Sequence, residues 1–98
     1  MTTVFFHPDA DREFTEELEY YSAAREGIVL RFRAGVEQAV ARAAANPGSG
    51  KPSFGQTRAM RVKHFPFDIV YLASFDELFI VAIAGHSRKP GYWLPRVR

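Results

Sequence analysis

Three β-rich runs lie between residues 57 and 85, separated by short breaks at Phe65-Pro66 and Asp76-Glu77. Read as two-residue hairpin loops, these breaks set His64 opposite Phe67 and Phe75 opposite Leu78, pairing strands 57–64, 67–75 and 78–85 into an antiparallel sheet. Because side chains alternate across a strand, one face collects Met60, Val62, Ile69, Tyr71, Ile80 and Ala82. That face is wholly apolar and is expected to lie against helices. The other collects Arg61, Lys63, Asp68, Val70, Leu72, Phe79, Val81 and Ile83, and a half-apolar face needs a cover. Neither loop holds Asn-Gly or Asp-Gly, and a slip of one residue would exchange the faces. The pairing is therefore better specified than the register.

Upstream the period changes from two to between three and four. Thr3-Val4-Phe5-Phe6 is a short β-rich run that stops at His7-Pro8. Proline at a first helical position, with Asp9 and Asp11 after it, marks a helix start, since carboxylates favour the positive end of the macrodipole. Ala10, Phe14, Leu18 and Tyr21 form one stripe of a helix over 8–24, with Glu13, Glu16, Glu17 and Glu19 assigned to its outer face. After a break at Gly27, the stripe Val29, Phe32, Val36, Val40 and Ala43 predicts a second helix over 28–45, whose other face shows Arg31, Arg33, Glu37, Gln38 and Arg42. The two form an antiparallel hairpin that needs the sheet as its platform. Residues 46–52, with two prolines and two glycines, read as a helix stop and a flexible link. The order is βααβββ: an α+β fold, one domain over residues 1–98, with an antiparallel sheet carrying the N-terminal helical hairpin on one face.

Composition narrows the class. With 47% hydrophobic and 24% charged residues the 98-residue chain folds rather than staying disordered. No apolar run reaches about 18 residues and no basic-then-apolar leader opens the sequence, so a cytoplasmic protein without a membrane partner is expected. Without cysteine there is neither a disulfide nor a thiolate zinc site, and His7, His64 and His86 are too dispersed for a metal pattern. Neither metal nor cofactor is expected.

Charge is unevenly shared. Residues 1–50 carry five arginines against eight carboxylates, and residues 51–98 carry eight Lys or Arg against three, so the sheet half is basic and is where an anionic partner should meet the chain. In either register the first turn and Gly85-His86 fall at the same sheet end. Arg61, Lys63, His64, His86, Arg88 and Lys89 should gather there, beside Tyr92-Trp93, with the tail 95–98 folding back over the half-apolar face or staying mobile.

Particular residues follow one another in an order that resembles the RelE/ParE toxin superfamily of bacterial type II toxin–antitoxin modules. They are His7-Pro8, Tyr20-Tyr21, Phe32 with Val36, Asn46-Pro47-Gly48, Arg58 with Met60 and Val62, Phe65-Pro66-Phe67 with Ile69-Val70-Tyr71, and the run from Ala84-Gly85-His86-Ser87-Arg88-Lys89 to Pro90-Gly91-Tyr92-Trp93. The resemblance spans nearly the whole chain. It implies a βααβββ toxin, of the kind labelled plasmid stabilisation protein, encoded beside a small antitoxin whose disordered segment wraps it. Val70, Leu72, Phe79 and Val81 are the side chains expected under that segment, each worth roughly 1.5–3 kcal/mol when fully buried, and the free chain should self-associate. The assemblies open to it are a homodimer or a heterotetramer with the antitoxin.

Within the superfamily the resemblance implies two different targets: DNA gyrase for ParE-like members, and mRNA on the ribosome for RelE-like members. Cleavage of RNA through the 2′-OH needs a base, an acid and cations around the phosphate. His64 and His86 are the candidate acid and base, Arg61 and Arg88 the clamps, Tyr92 or Trp93 a stacking platform, and Lys63, Lys89, Arg96 and Arg98 further anion contacts. Each has a plainer reading: Arg61 and Lys63 solvated or paired with Asp68, His64 a turn cap, Tyr92-Trp93 a packing lid. Gyrase poisoning needs only a protein-binding surface and the basic tail. A binding or autoregulatory homologue without toxicity would keep the half-apolar face alone. With no secure general base, the sequence leans to gyrase and leaves open whether the chain is an enzyme.

Overall fold

The computed structural model describes residues 2–97. Strand β1 (Thr3–Phe6) leads into helix α1 (Pro8–Ala24), whose N-cap His7 accepts the Asp9 N–H at Nδ1, 3.0 Å away. Helix α2 (Ile28–Ala45) returns after Gly27, which adopts a left-handed φ of 83°. Both helices keep the boundaries that the sequence predicts. Strands β2 (Lys51–Pro52), β3 (Arg58–Arg61), β4 (Phe67–Ala73) and β5 (Glu77–Gly85) follow. The sheet order is β1-β5-β4-β3-β2, antiparallel except for β1, which lies parallel to β5. The α+β class stands, with a mixed rather than wholly antiparallel sheet.

The 46–52 link is more regular than expected. A 3₁₀ turn (Pro47–Ser49) precedes β2, and the Tyr71 hydroxyl donates to the Pro47 carbonyl at 2.6 Å. A side chain at Gly50 would collide with that tyrosine ring, so the link packs tightly enough to exclude one. Arg58 donates to the Gly50 carbonyl at 2.8 Å.

The loops are longer than two residues, which moves the register. In the first, Val62 N–H donates to the Phe67 carbonyl at 2.9 Å and Arg61 stands opposite Asp68, so β3 ends at Arg61 and His64 is not paired with Phe67. His64 has a φ of 70° and turns the chain, while Phe65 drops into the core against Tyr21 and Phe32. At the second, Ala73 rather than Phe75 pairs with Leu78, leaving Phe75 fully exposed at the tip.

A slip of two residues preserves faces, so β3 and β4 point as predicted. Strand β5 does not, over part of its length. Ile80 pairs with Tyr71 but Ala82 pairs with Val70, leaving Val81 as an extra residue. This bulge returns Ile83 to the helix face and sends Ala82 to the other, reversing both assignments. The helix-side core gathers Phe32, Val36, Val62, Ile69, Tyr71, Leu78, Ile80 and Ile83, and rings Tyr21, Phe65 and Phe67 surround Phe32 at centroid distances of 4.8–5.4 Å. On the second face Val70, Val81 and Ala82 are buried under Trp93, with Leu94 and Val97 beside them. The tail therefore does fold back, as a 3₁₀ turn (Leu94–Val97).

Candidate functional site

Strand β1 stops at Phe6, opposite Ile80, and the His7 N–H closes the pairing on the Ile80 carbonyl. Beyond this point the edge of β5 still offers the Val81 carbonyl and the Ile83 N–H, polar groups that cannot be buried unpaired without cost. Glu13 and Arg96 supply the partners. Glu13 Oε1 accepts the Ile83 N–H at 3.1 Å, and Arg96 Nη1 donates to the Val81 carbonyl at 3.0 Å. The two side chains meet each other in a fork, Nη1 to Oε1 and Nη2 to Oε2, both at 2.9 Å. The Tyr92 hydroxyl donates to Glu13 Oε2 at 2.7 Å, and the Arg88 guanidinium stacks 3.9 Å above the Tyr92 ring.

Burial makes this arrangement strong, since charge-assisted forks gain most away from water. The side chains of Glu13 and Arg96 are 9% and 11% exposed. Burial, and then the neighbouring Glu13 carboxylate, raise the pKa of Tyr92 well above the ordinary phenol range, so this hydroxyl is held as a donor. The hydrogen bond to Glu13 raises the pKa of Arg96 against the opposing effect of burial. Glu17, one turn on, is also pushed up, by burial first and then by Glu16 and Glu13.

Glu13 is thus a junction of α1, β5 and the C-terminal segment, not a member of the outer helix face. The sequence held a signal for it. It lies three residues after the buried Ala10 and beside Phe14, on the stripe that faces the sheet.

The expected basic lip divides in two. His86 Nε2 lies 3.1 Å from Asp68 Oδ1, in a concavity of about 250 Å³ shared with Ser53, Arg88, Lys89 and Trp93. His64 and Lys63 line a different concavity, formed with α2 and holding Arg25, Arg31, Gln38 and Phe65. Arg61 is exposed, its carbonyl accepting from Arg42 at 2.7 Å. Asp68 stands opposite Arg61 in the ladder but pairs with His86. Arg96 and Tyr92 are committed to Glu13, while Arg98 lies outside the described residues.

Of the side chains assigned to a partner, Val70 and Val81 are 2% and 0% exposed beneath the chain's own C-terminal segment. Leu72 and Phe79 are half-buried at its margin. With Phe5 they line a shallow groove of about 210 Å³, which reaches Ser74 beside the exposed Phe75. Among the described residues no three His, Asp or Glu converge as metal ligands, and no helix is long and apolar enough to cross a membrane.

No curated protein matches this sequence. Among solved structures, a chain of the chromosomal ParDE toxin–antitoxin system from P. aeruginosa shares the fold with a TM-score of 0.73 at 19% identity, covering 87% of this chain and 96% of that one. The sequence matches the family described as ParE toxin of type II toxin-antitoxin system, parDE, over residues 4–90. That span takes in both helices, strands β2 to β5, all of β1 but its first residue, and the His86–Asp68 pair, and the chain belongs to the ParE toxin family of type II toxin–antitoxin systems.

Proposed function

We propose that this toxin acts by gripping DNA gyrase through a protein surface rather than by cutting RNA, and that its antitoxin docks along the margin of the C-terminal cover. The observation that carries the first part is the dispersal of the would-be catalytic set. His64 and His86 line separate concavities, and Tyr92, whose hydroxyl donates to Glu13, is held protonated. A 2′-OH attack needs base, acid and phosphate clamp within hydrogen-bond reach of one phosphodiester. These residues lack that convergence.

The docking proposal rests on Leu72, Phe79 and Phe5, the apolar side chains of the second face and edge that the chain itself leaves partly open. An antitoxin segment laid there would bury them and cover Phe75 at the adjoining tip.

Purified gyrase and supercoiled DNA provide the test. Cleaved DNA trapped by the wild-type chain, with ribosome-bound mRNA left intact in a parallel reaction, is the expected result. Cleaved mRNA with undisturbed gyrase would overturn the proposal and make His86, Asp68 and Arg88 the residues to examine. Inhibition of neither would favour a binding or autoregulatory role.

A further inference from the structure

A concavity of about 660 Å³ lies between α2 and the β3–β4 turn, away from the C-terminal cover. Its rims come from two parts of the chain. Arg25 caps the end of α1, Arg31 stands in the first turn of α2, and Lys63 and His64 stand on the β3–β4 turn. All four are exposed, and none sits in an ion pair among the described residues. No carboxylate lines the space, and the first turn of α2 carries no acidic residue. Three cations without a carboxylate partner therefore face one hollow across a gap, a concentration of positive charge that favours an anionic ligand.

The walls add specificity. Phe65 and Ile28 supply apolar surface, Gly35 lets the turn approach α2 closely, with Val62 Cγ1 3.1 Å from where a Cβ would stand, and Gln38 offers an amide. His64 holds its place on the rim in a left-handed conformation that an L-residue adopts only at a cost. Volume and lining match a small-ligand site. A flat nucleic-acid track would need cations in a stripe; here they surround a hollow.

We propose that this concavity binds a nucleoside polyphosphate, with the phosphate chain between Arg25, Arg31 and Lys63 and the base against the Phe65–Ile28 wall near Gln38. Arginine forks and a lysine point charge are the usual complement to such a chain. This site shares no residue with the groove assigned above to the antitoxin, and the gyrase reading does not draw on it, so its failure would leave that reading standing.

Isothermal titration of the full chain with ATP, tripolyphosphate and a short DNA duplex at about 0.1 M salt tests the proposal. ATP is expected to bind in the micromolar range, at least tenfold more weakly to Arg31→Ala/Lys63→Ala, and unchanged by Arg33→Ala, whose side chain lines the groove on the other side of the helical hairpin. Circular dichroism confirms that the variants fold. Tripolyphosphate should bind several-fold more weakly than ATP. Equal affinity would overturn the role of the base and leave an inorganic polyphosphate site. Tighter duplex binding with the same residue dependence would overturn the small-ligand assignment in favour of a nucleic-acid surface. No ATP binding at millimolar concentration would overturn the site altogether.

Discussion

Replacing Glu13 with alanine should cost this small domain a large share of its stability. The carboxylate accepts four hydrogen bonds: two from Arg96, one from the Tyr92 hydroxyl and one from the Ile83 N–H. Its removal leaves a guanidinium that is 11% exposed with only the Val81 carbonyl at 3.0 Å and the Asp9 carboxylate at 3.7 Å, and leaves the Ile83 N–H of the sheet edge without its acceptor. Breaking a buried ion pair from one side typically costs about 3–5 kcal/mol, and the stranded N–H alone would cost about 1–3 kcal/mol. These contributions overlap, so the expected loss is about 3–5 kcal/mol rather than their sum. With a urea m-value of about 1.5 kcal/mol/M, the midpoint should fall by about 2–3 M. Arg96→Ala should cost less, because the Tyr92 hydroxyl and the Ile83 N–H still donate to the carboxylate. A double-mutant cycle on Glu13→Gln and Arg96→Gln should return a coupling of at least about 1.5 kcal/mol. A loss below about 1 kcal/mol for Glu13→Ala at unchanged m, or a coupling near zero, would refute the junction as a stabilising element.

Three other outcomes follow from single contacts. The Tyr92 pKa is raised on folding, so above about pH 10 the unfolded chain releases a proton that the folded chain keeps. The Tyr92 contribution should be level below that pH and fall above it; burial raises the Tyr21 and Tyr71 hydroxyls as well, so Tyr92→Phe should lessen rather than abolish the fall in urea midpoints between about pH 10 and 11.5, and an unchanged slope would mean the hydroxyl is not held protonated. Gly50→Ala drives a methyl group into the Tyr71 ring and disturbs its bond to Pro47, with an expected cost of about 2–3 kcal/mol; a melting temperature within a few degrees of wild type would contradict the close packing. At His64, glycine relieves a left-handed cost of about 1–2 kcal/mol and adds about 0.5–1 kcal/mol of chain entropy. His64→Gly should therefore raise stability by roughly 0.5 kcal/mol, and a loss instead would show that the imidazole makes contacts that matter to the fold.

Both helices were legible because their signals are local. Pro8 with Asp9 and Asp11, the Gly27 break and the 3.6-residue stripes fix each boundary without reference to the rest of the chain. The sheet was legible only as to which strands pair. Its register depended on turn geometry that Phe65-Pro66 does not encode, since His64 takes the left-handed position usually marked by glycine or asparagine. The Val81 bulge had no sequence mark either: Val81, Ala82 and Ile83 are all apolar, so a face reversal among them leaves the pattern unchanged. Parallel pairing of β1 with β5 joins residues more than 70 apart, beyond the reach of any periodicity argument. The candidate site suffered most from these gaps. Placing Lys63 and His64 with His86 required a two-residue turn, and the longer turn carries them to α2. Glu13 sits among the carboxylates of an acidic helix, and only its three-residue spacing from Ala10 marks it as facing the sheet.

The bulge, the glutamate and the C-terminal cover form one structural unit. Because β1 ends at Phe6, the last turn of the β5 ladder needs side-chain partners, and the only ones within reach of Val81 and Ile83 among the described contacts are Glu13, Arg96 and Tyr92. Meeting that need fixes residues 92–97 over the second face, with Trp93 at 3% exposure sealing Val70 and Val81. A partner that approached those two valines would have to break the Glu13–Arg96 fork and expose Trp93, losing several kcal/mol before making a contact of its own. Docking at Leu72, Phe79 and Phe5 carries no such cost, since the cover stops short of them. On the proposed docking, polar substitutions at Leu72 or Phe79, which are only partly buried, weaken antitoxin binding by more than they weaken the fold. Substitutions at Val70 or Val81 weaken the fold first and binding only through it. The local shortage of backbone partners at one strand end thus decides which part of an apolar face the molecule covers itself and which part it leaves open.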